Sequence, residues 1–261
     1  MKFHRKDDIL FSADDAANQD YVGQVSALVG RHCPGEPRQW RLTAPETLWK
    51  IFVGGRSGIL GVRLDGRVAC VKVYHDVRLR NRLRVAMGMA KAKRAYHNAL
   101  RLRQLGIPCA AMLGYAERRP MGPAMVVMEL LADARRLEHW IAEHGVTREG
   151  VSALARFLRL MHDRGVSHKD LSPRNIMVRP RGEGWDLLLL DYEDVRFSRP
   201  LRRQTRLKNL HHLNERLALH VSLRNRLRFL REYAPQDYPA WRDELADRLA
   251  RSRSKYLERR P

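Results

Sequence analysis

The chain has 261 residues, enough for a buried core, and its three cysteines, Cys33, Cys70 and Cys109, are too scattered for a disulfide framework or a thiolate metal site. Fifty Lys and Arg against 29 Asp and Glu give a formal charge of +21, which favours polyanionic partners: nucleic acid, an acidic membrane face or a phosphorylated substrate. The charged start MKFHRKDDIL lacks a secretory apolar core and no apolar run is long enough to span a bilayer, so a reducing, cytoplasmic setting is expected.

Residues 1–46 are mixed and polar, with breakers at Pro34, Gly35, Pro37 and Pro45, and are expected to form an N-terminal extension with little regular structure. From Thr47 to Tyr74 three β-rich runs, TLWKIFVGG, GILGVRLDG and RVACVKVY, separated by glycines and by Asp65-Gly66, predict a three-stranded antiparallel sheet. Residues 82–105 predict a helix stopped by Gly106, and AMVVMEL predicts a buried strand that closes a small lobe spanning 47–131. Thr147 is the expected cap of a helix that places Val151, Leu154, Ala155, Leu158 and Met161 on one face and ends at Gly165. IMVRP and DLLLL predict two short strands around an RGEG turn. From about Arg202 the chain reads as helical and basic, so 132–261 form a second lobe.

The most specific pattern is HKDLSPRNIMV followed by LLLLD: an H-x-D-x4-N loop and then an acid at the end of an apolar strand. Phosphoryl transfer requires this set. One carboxylate orients the attacking hydroxyl and accepts its proton, and oxygen ligands fix magnesium on the phosphates. Asp170 is the predicted base, and Asn175 and Asp191 the predicted Mg2+ ligands for ATP. In ACVKVY, strand alternation puts Lys72 on the face of Cys70 and Val68, where it resembles the lysine of a V-A-I-K strand, with Cys70 beside the adenine. The expected fate of the Cys70 thiol is a buried, unreactive one. Gly55 and Gly58, within the loose set Gly54, Gly55, Gly58 and Gly61, are candidates for backbone contact with phosphates, although a plain hairpin explains them as well. Glu129 and Leu131 are placed to offer backbone hydrogen bonds to adenine. His168 is expected to brace its loop. No Asp or Glu lies between Asp76 and Glu117, so the helix over 82–105 cannot supply the glutamate that usually pairs the strand lysine.

These stretches, together with KAKRAYHNALRLRQLGIPCA, RLKNLHHLNERL and RLRFLREY, resemble the lipopolysaccharide core kinases, the Kdo and heptose kinases. The resemblance implies an α+β, bilobal protein-kinase-like fold, with a small antiparallel-sheet N-lobe and a short, mainly helical C-lobe. It also implies ATP-dependent phosphorylation of an inner-core sugar hydroxyl. Ala95, beside Tyr96, falls where that family usually has glutamate. Asp191-Tyr192-Glu193 in place of D-F-G is similar to choline kinases and aminoglycoside phosphotransferases, which keeps small-molecule acceptors open as an alternative. Ala95 motivates another, a nucleotide-binding pseudokinase.

Two basic regions stand out. Arg78, Arg80, Arg82, Arg84, Lys91, Lys93 and Arg94 read mainly as a solvated face. Arg199, Arg202, Arg203, Arg206 and Lys208 lie just after Asp191 and are candidates for an anionic glycolipid or sugar acceptor, with peripheral contact at the inner membrane. Nucleic acid ranks last as a partner, since no aromatic-interleaved platform accompanies the charge. His211-His212 has no partner spacing for zinc.

Overall fold

The computed structural model describes residues 4–6, 9–13, 15–33, 37–40, 42, 46–54, 57–75, 91–118, 123–182, 184–217 and 220–257. It divides into two compact units, one of Met1–Gln104 with Cys109–Ala132 and one of Leu105–Pro108 with Asp133–Pro261.

The first unit opens with β1 (His4–Lys6), β2 (Ile9–Ser12) and helix α1 (Ala16–His32), so the segment expected to be irregular is ordered over much of its length. Tyr21, Val22, Val25 and Val29 recur at helical spacing and are buried, and Asp15 caps the start by accepting from the Asn18 N–H at 2.7 Å. Strands β3 (Leu48–Val53), β4 (Ser57–Leu64) and β5 (Arg67–Tyr74) form the expected meander. Asp65 and Gly66, both at positive φ, make the tight turn between the last two. Helix α2 (Lys91–Gln104) precedes β6 (Met112–Arg118) and β7 (Ala124–Glu129). All these strands belong to one seven-stranded sheet in the order β1-β2-β6-β7-β5-β4-β3. The three-stranded sheet read from the sequence is therefore its far half. The first residues complete the near edge, where β2 pairs antiparallel with β6.

Register assigns the two faces. Ala69, Val71 and Val73 of β5 share a face with Ala116, Met125 and Val127, and pack in the core of α1, Trp40 and Leu60. Cys70, Lys72 and Tyr74 point to the opposite face, the one on which Tyr96 of α2 meets Tyr115 with ring centroids 5.3 Å apart.

The second unit holds β8 (Arg135–Arg136), α3 (Leu137–His144), α4 (Arg148–Asp163), β9 (Val166–His168), the hairpin β10 (Ile176–Arg181) and β11 (Gly184–Leu189), β12 (Val195–Phe197), α5 (Arg203–Leu217), α6 (Leu223–Tyr233) and α7 (Tyr238–Leu257). Thr147 caps α4 as expected, accepting from the Gly150 N–H at 3.1 Å, and the predicted apolar face is buried. Gly165, at φ +76°, then turns the chain sharply into β9, which pairs with β12. Among the described residues no helix is long and apolar enough to cross a membrane.

Candidate active site

Asp170, Asn175 and Asp191 are brought together in the second unit. β9 ends at His168, Asp170 follows on a turn, and a single 3-10 turn, Pro173–Asn175, leads into β10. The Asn175 Nδ2 donates to the Asp170 carbonyl at 2.8 Å, and the Leu190 N–H donates to the Asn175 carbonyl at 2.9 Å. The first bond commits the amide nitrogen, so Asn175 Oδ1 is the atom of this side chain that can accept or ligate. The second ties the loop to the residue before Asp191. An amide oxygen beside carboxylates is a hard-oxygen donor set suited to Mg2+, with phosphates and water completing the shell. Among the described residues no cluster of three His, Cys, Asp or Glu competes for a transition metal.

Asp191 adopts a left-handed backbone, φ 61° and ψ 51°, which costs a side-chain-bearing residue about 1 kcal/mol. Its carbonyl accepts from His168 Nε2 at 3.1 Å and from the Asp194 N–H at 3.0 Å, and these bonds hold the turn. His168 is fully buried, and its Nδ1 accepts the Asp170 N–H at 3.2 Å. That assigns the ring proton to Nε2. His168 thus ties the Asp170 and Asp191 segments together, the bracing role expected of it.

Three residues that sequence reading passed over support His168. Asn209, buried on α5, accepts the His168 N–H with Oδ1 at 3.1 Å and donates from Nδ2 to the His168 carbonyl at 2.7 Å. His162 donates from Nε2 to the same Oδ1 at 3.3 Å, and the Tyr233 hydroxyl donates to His162 Nδ1 at 2.6 Å. Nothing local marks Asn209, one of two asparagines in the basic segment RLKNLHHLNERL. Burial pushes the His162 imidazole down to about 4, against the Asn209 hydrogen bond, which raises it. Between 6.5 and 4 the unfolded chain therefore takes up a proton that the folded chain refuses, and stability falls as pH falls through this window. The loss attributable to His162 is expected to reach about 3 kcal/mol near the lower limit. It is read as a gap in urea stability between wild type and His162→Gln that narrows on acidification. A gap that stays constant would overturn it.

On the first unit, Lys72 pairs with Ile59 of β4 and Val126 of β7, with Nζ 5.2 Å from the Tyr74 ring centroid. Cys70 lies one pleat away on the same face, in a row with Trp49, Gly61 and Met128. Burial pushes the Cys70 thiol up to about 12, with a smaller opposing effect of Lys72, so the thiol stays protonated and inert at neutral pH, as expected. Trp49 carries no motif that would single it out along the sequence. Its indole covers Gly61, where a Cβ would overlap the ring, so an aromatic surface adjoins Cys70. Gly58 has a comparable explanation on the other face, because a Cβ there would overlap Trp40 of the α1 core. Packing alone thus accounts for the glycine at 58. Gly55 lies outside the described residues, as do Arg78, Arg80, Arg82 and Arg84.

Glu129 uses its N–H on the Ala111 carbonyl at 2.9 Å. Ala95 is buried on α2 beside Tyr96, and the Lys72 face of the sheet carries a buried carboxylate, Glu117. Lys72 pairs with Val126, which pairs with Tyr115, two residues before Glu117.

The basic stretch after Asp191 is largely spent on packing. Arg203 pairs with Asp237 and Glu244, each at 2.9 Å, and stacks on Trp241. Arg206 pairs with Asp163 at 2.7 Å, and Arg199 donates to the Arg164 carbonyl at 3.2 Å. The cations beside Asp170 are others: a cavity of about 250 Å3 there is lined by Arg174, Arg216, His220, Glu138 and Ser172.

No curated protein matches the chain. The fold is similar to a solved structure described as WaaP in complex with acyl carrier protein, with a TM-score of 0.64 and 20% identity over 95% of this chain and 98% of that one. The likeness shows a protein-kinase-like fold, with the antiparallel sheet in one unit and the helices concentrated in the other. The profile of the lipopolysaccharide kinase (Kdo/WaaP) family matches residues 56–233, a stretch that contains Lys72, Asp170, Asn175 and Asp191, and the chain belongs to that family.

Proposed function

We propose that the protein transfers the γ-phosphate of ATP to a hydroxyl of a Kdo or heptose residue in the lipopolysaccharide inner core. The observation that carries this reading is the braced loop of Asp170, Asn175 and Asp191 in a member of a lipopolysaccharide kinase family. Asp170 takes the proton of the acceptor hydroxyl as its oxygen bonds to the γ-phosphorus, and the bond from that phosphorus to the bridging oxygen breaks to release ADP. Asn175 and Asp191 hold magnesium, which when bound neutralises charge on the phosphates. Lys72 holds the nucleotide phosphates, and Glu117, on the same sheet face, takes the positioning role that Ala95 cannot fill.

The test is transfer of labelled γ-phosphate from Mg-ATP to purified inner core, to a panel of small alcohols and to mixed protein. Label in the core supports the reading. Label only in small alcohols moves the substrate to the aminoglycoside and choline type, and ATP binding without transfer leaves a nucleotide-binding module. The protein is expected to act in the cytoplasm, against the inner membrane that carries its acceptor.

Acyl carrier protein, the partner of the structural relative, is also a candidate here. Unit two contains an apolar cavity of about 180 Å3, apart from Asp170, lined by Leu154, Trp185, Leu213, Leu223 and Leu230 among others. If acyl carrier protein binds there, Leu223→Glu, at an exposed position on the cavity's lining, abolishes its co-purification. Retention in that variant, or no association with wild type, excludes the contact.

A further inference from the structure

We propose that the cavity beside Asp170 is the acceptor-selecting site, and that Arg216 and Arg174 hold an anionic substituent, a carboxylate or a phosphate, on the sugar to be phosphorylated. The inference deepens the kinase reading and rests on it for the role of Asp170.

The geometry begins with the base. Arg174 lies between Asp170 and Asn175 on the 3-10 turn whose backbone is stitched at both ends, so its Cα has a fixed position relative to the carboxylate. Its Nε donates to Glu138 Oε2 at 3.0 Å. That bond engages one edge of the guanidinium and holds the plane. Among the described residues the two terminal amino groups have no partner, and they remain as the paired donors that fit a carboxylate or phosphate.

Arg216 comes from the last turn of α5 and lines the same cavity. It has no ion-pair partner among the described residues. Its neighbours on α5 differ: Arg203 and Arg206 are committed to Asp237, Glu244 and Asp163. The fold has used the cations that looked most available in the sequence to join helices, and has left Arg216 uncommitted beside the base.

Charge explains why an anion is the ligand. Asp170 and Glu138 bring negative charge to the cavity, which would repel a carboxylate or phosphate carried by the acceptor. Two guanidinium groups offset that repulsion and orient the anion through directional donors. A neutral sugar would need neither. With the anion held, the neighbouring hydroxyls of the same ring are limited to a few positions facing Asp170, which gives selection among hydroxyls as well as among sugars.

The test measures binding and transfer separately. Calorimetry on the full chain uses the methyl glycoside of Kdo, its neutral methyl ester and a phosphorylated methyl heptoside, with wild type, Arg216→Gln and Arg174→Gln. Both side chains are exposed, and matching unfolding curves confirm that the variants fold. Wild type is expected to bind at least one of the two anionic sugars about tenfold more tightly than the ester, and each variant to lose about that factor. Which anion wins distinguishes carboxylate from phosphate. The KM for ATP should change less than about twofold.

Equal binding of anionic and neutral sugars by wild type, or no loss in either variant, overturns the proposal. So does a loss confined to the KM for ATP, which would move the cations to the nucleotide. If the anionic sugar binds through these arginines but no acceptor is phosphorylated, the cavity stands and the kinase reading fails. Transfer to core with no anion preference retains the kinase reading and removes the role of the two arginines.

Discussion

Asp170→Asn is expected to reduce phosphoryl transfer by about a thousandfold, equivalent to about 4 kcal/mol of transition-state stabilisation. The substitution is close to isosteric, and the two contacts that seat the residue are made by its backbone: the N–H to His168 Nδ1 and the carbonyl from Asn175 Nδ2. The loop should therefore keep its shape while losing only the group that accepts the hydroxyl proton. Single-turnover transfer and nucleotide binding, measured on the same preparation, separate the two effects. ATP affinity near that of wild type with transfer lost is the expected result. Transfer above about a tenth of the wild-type rate would remove Asp170 from the role of base.

Asn209→Leu is expected to cost about 3–6 kcal/mol of stability, a large share of what holds a domain of this size together. Leucine has nearly the same volume but leaves the His168 N–H, the His168 carbonyl and His162 Nε2 without the partner that Asn209 supplies to all three. Each buried polar group stranded in this way costs about 1–3 kcal/mol. Activity should fall further than the folded fraction does, because His168 carries both the Asp170 N–H and the Asp191 carbonyl. Denaturant unfolding alongside transfer per folded molecule checks both parts. A loss below about 1 kcal/mol would show that the network is replaceable by water.

What the sequence determined about this protein is what depends on short-range order. Asp170, Asn175 and Asp191 fall within 22 residues of one another, so residue type and spacing were enough to nominate the loop. The helix α4 was legible from a threonine cap and one apolar stripe, since both act within a turn or two of the backbone. The hairpin at Asp65-Gly66 was legible because few other residues accept its positive φ. The helix α1 was not. Prolines and glycines after its end dominated the reading, while the burial of Tyr21, Val22, Val25 and Val29 became meaningful only once the sheet was there to cover them.

Tertiary structure alone decided the long-range pairings. It chose Asn209, 41 positions from His168, as the clamp on the strand that leads to Asp170. It also placed the Trp40 indole where a side chain at 58 would stand, a reason for that glycine unrelated to phosphate. Above all it decided which arginines are neutralised. In a chain of net charge +21, the sequence favoured the run after Asp191 only because it lies near that residue along the chain. The charge that remains for a ligand depends on which carboxylates the fold brings within hydrogen-bond distance. Arg203 and Arg206 find theirs on distant segments and Arg216, among the described residues, does not, because ion pairing falls off over a few ångströms in space whatever the separation along the chain.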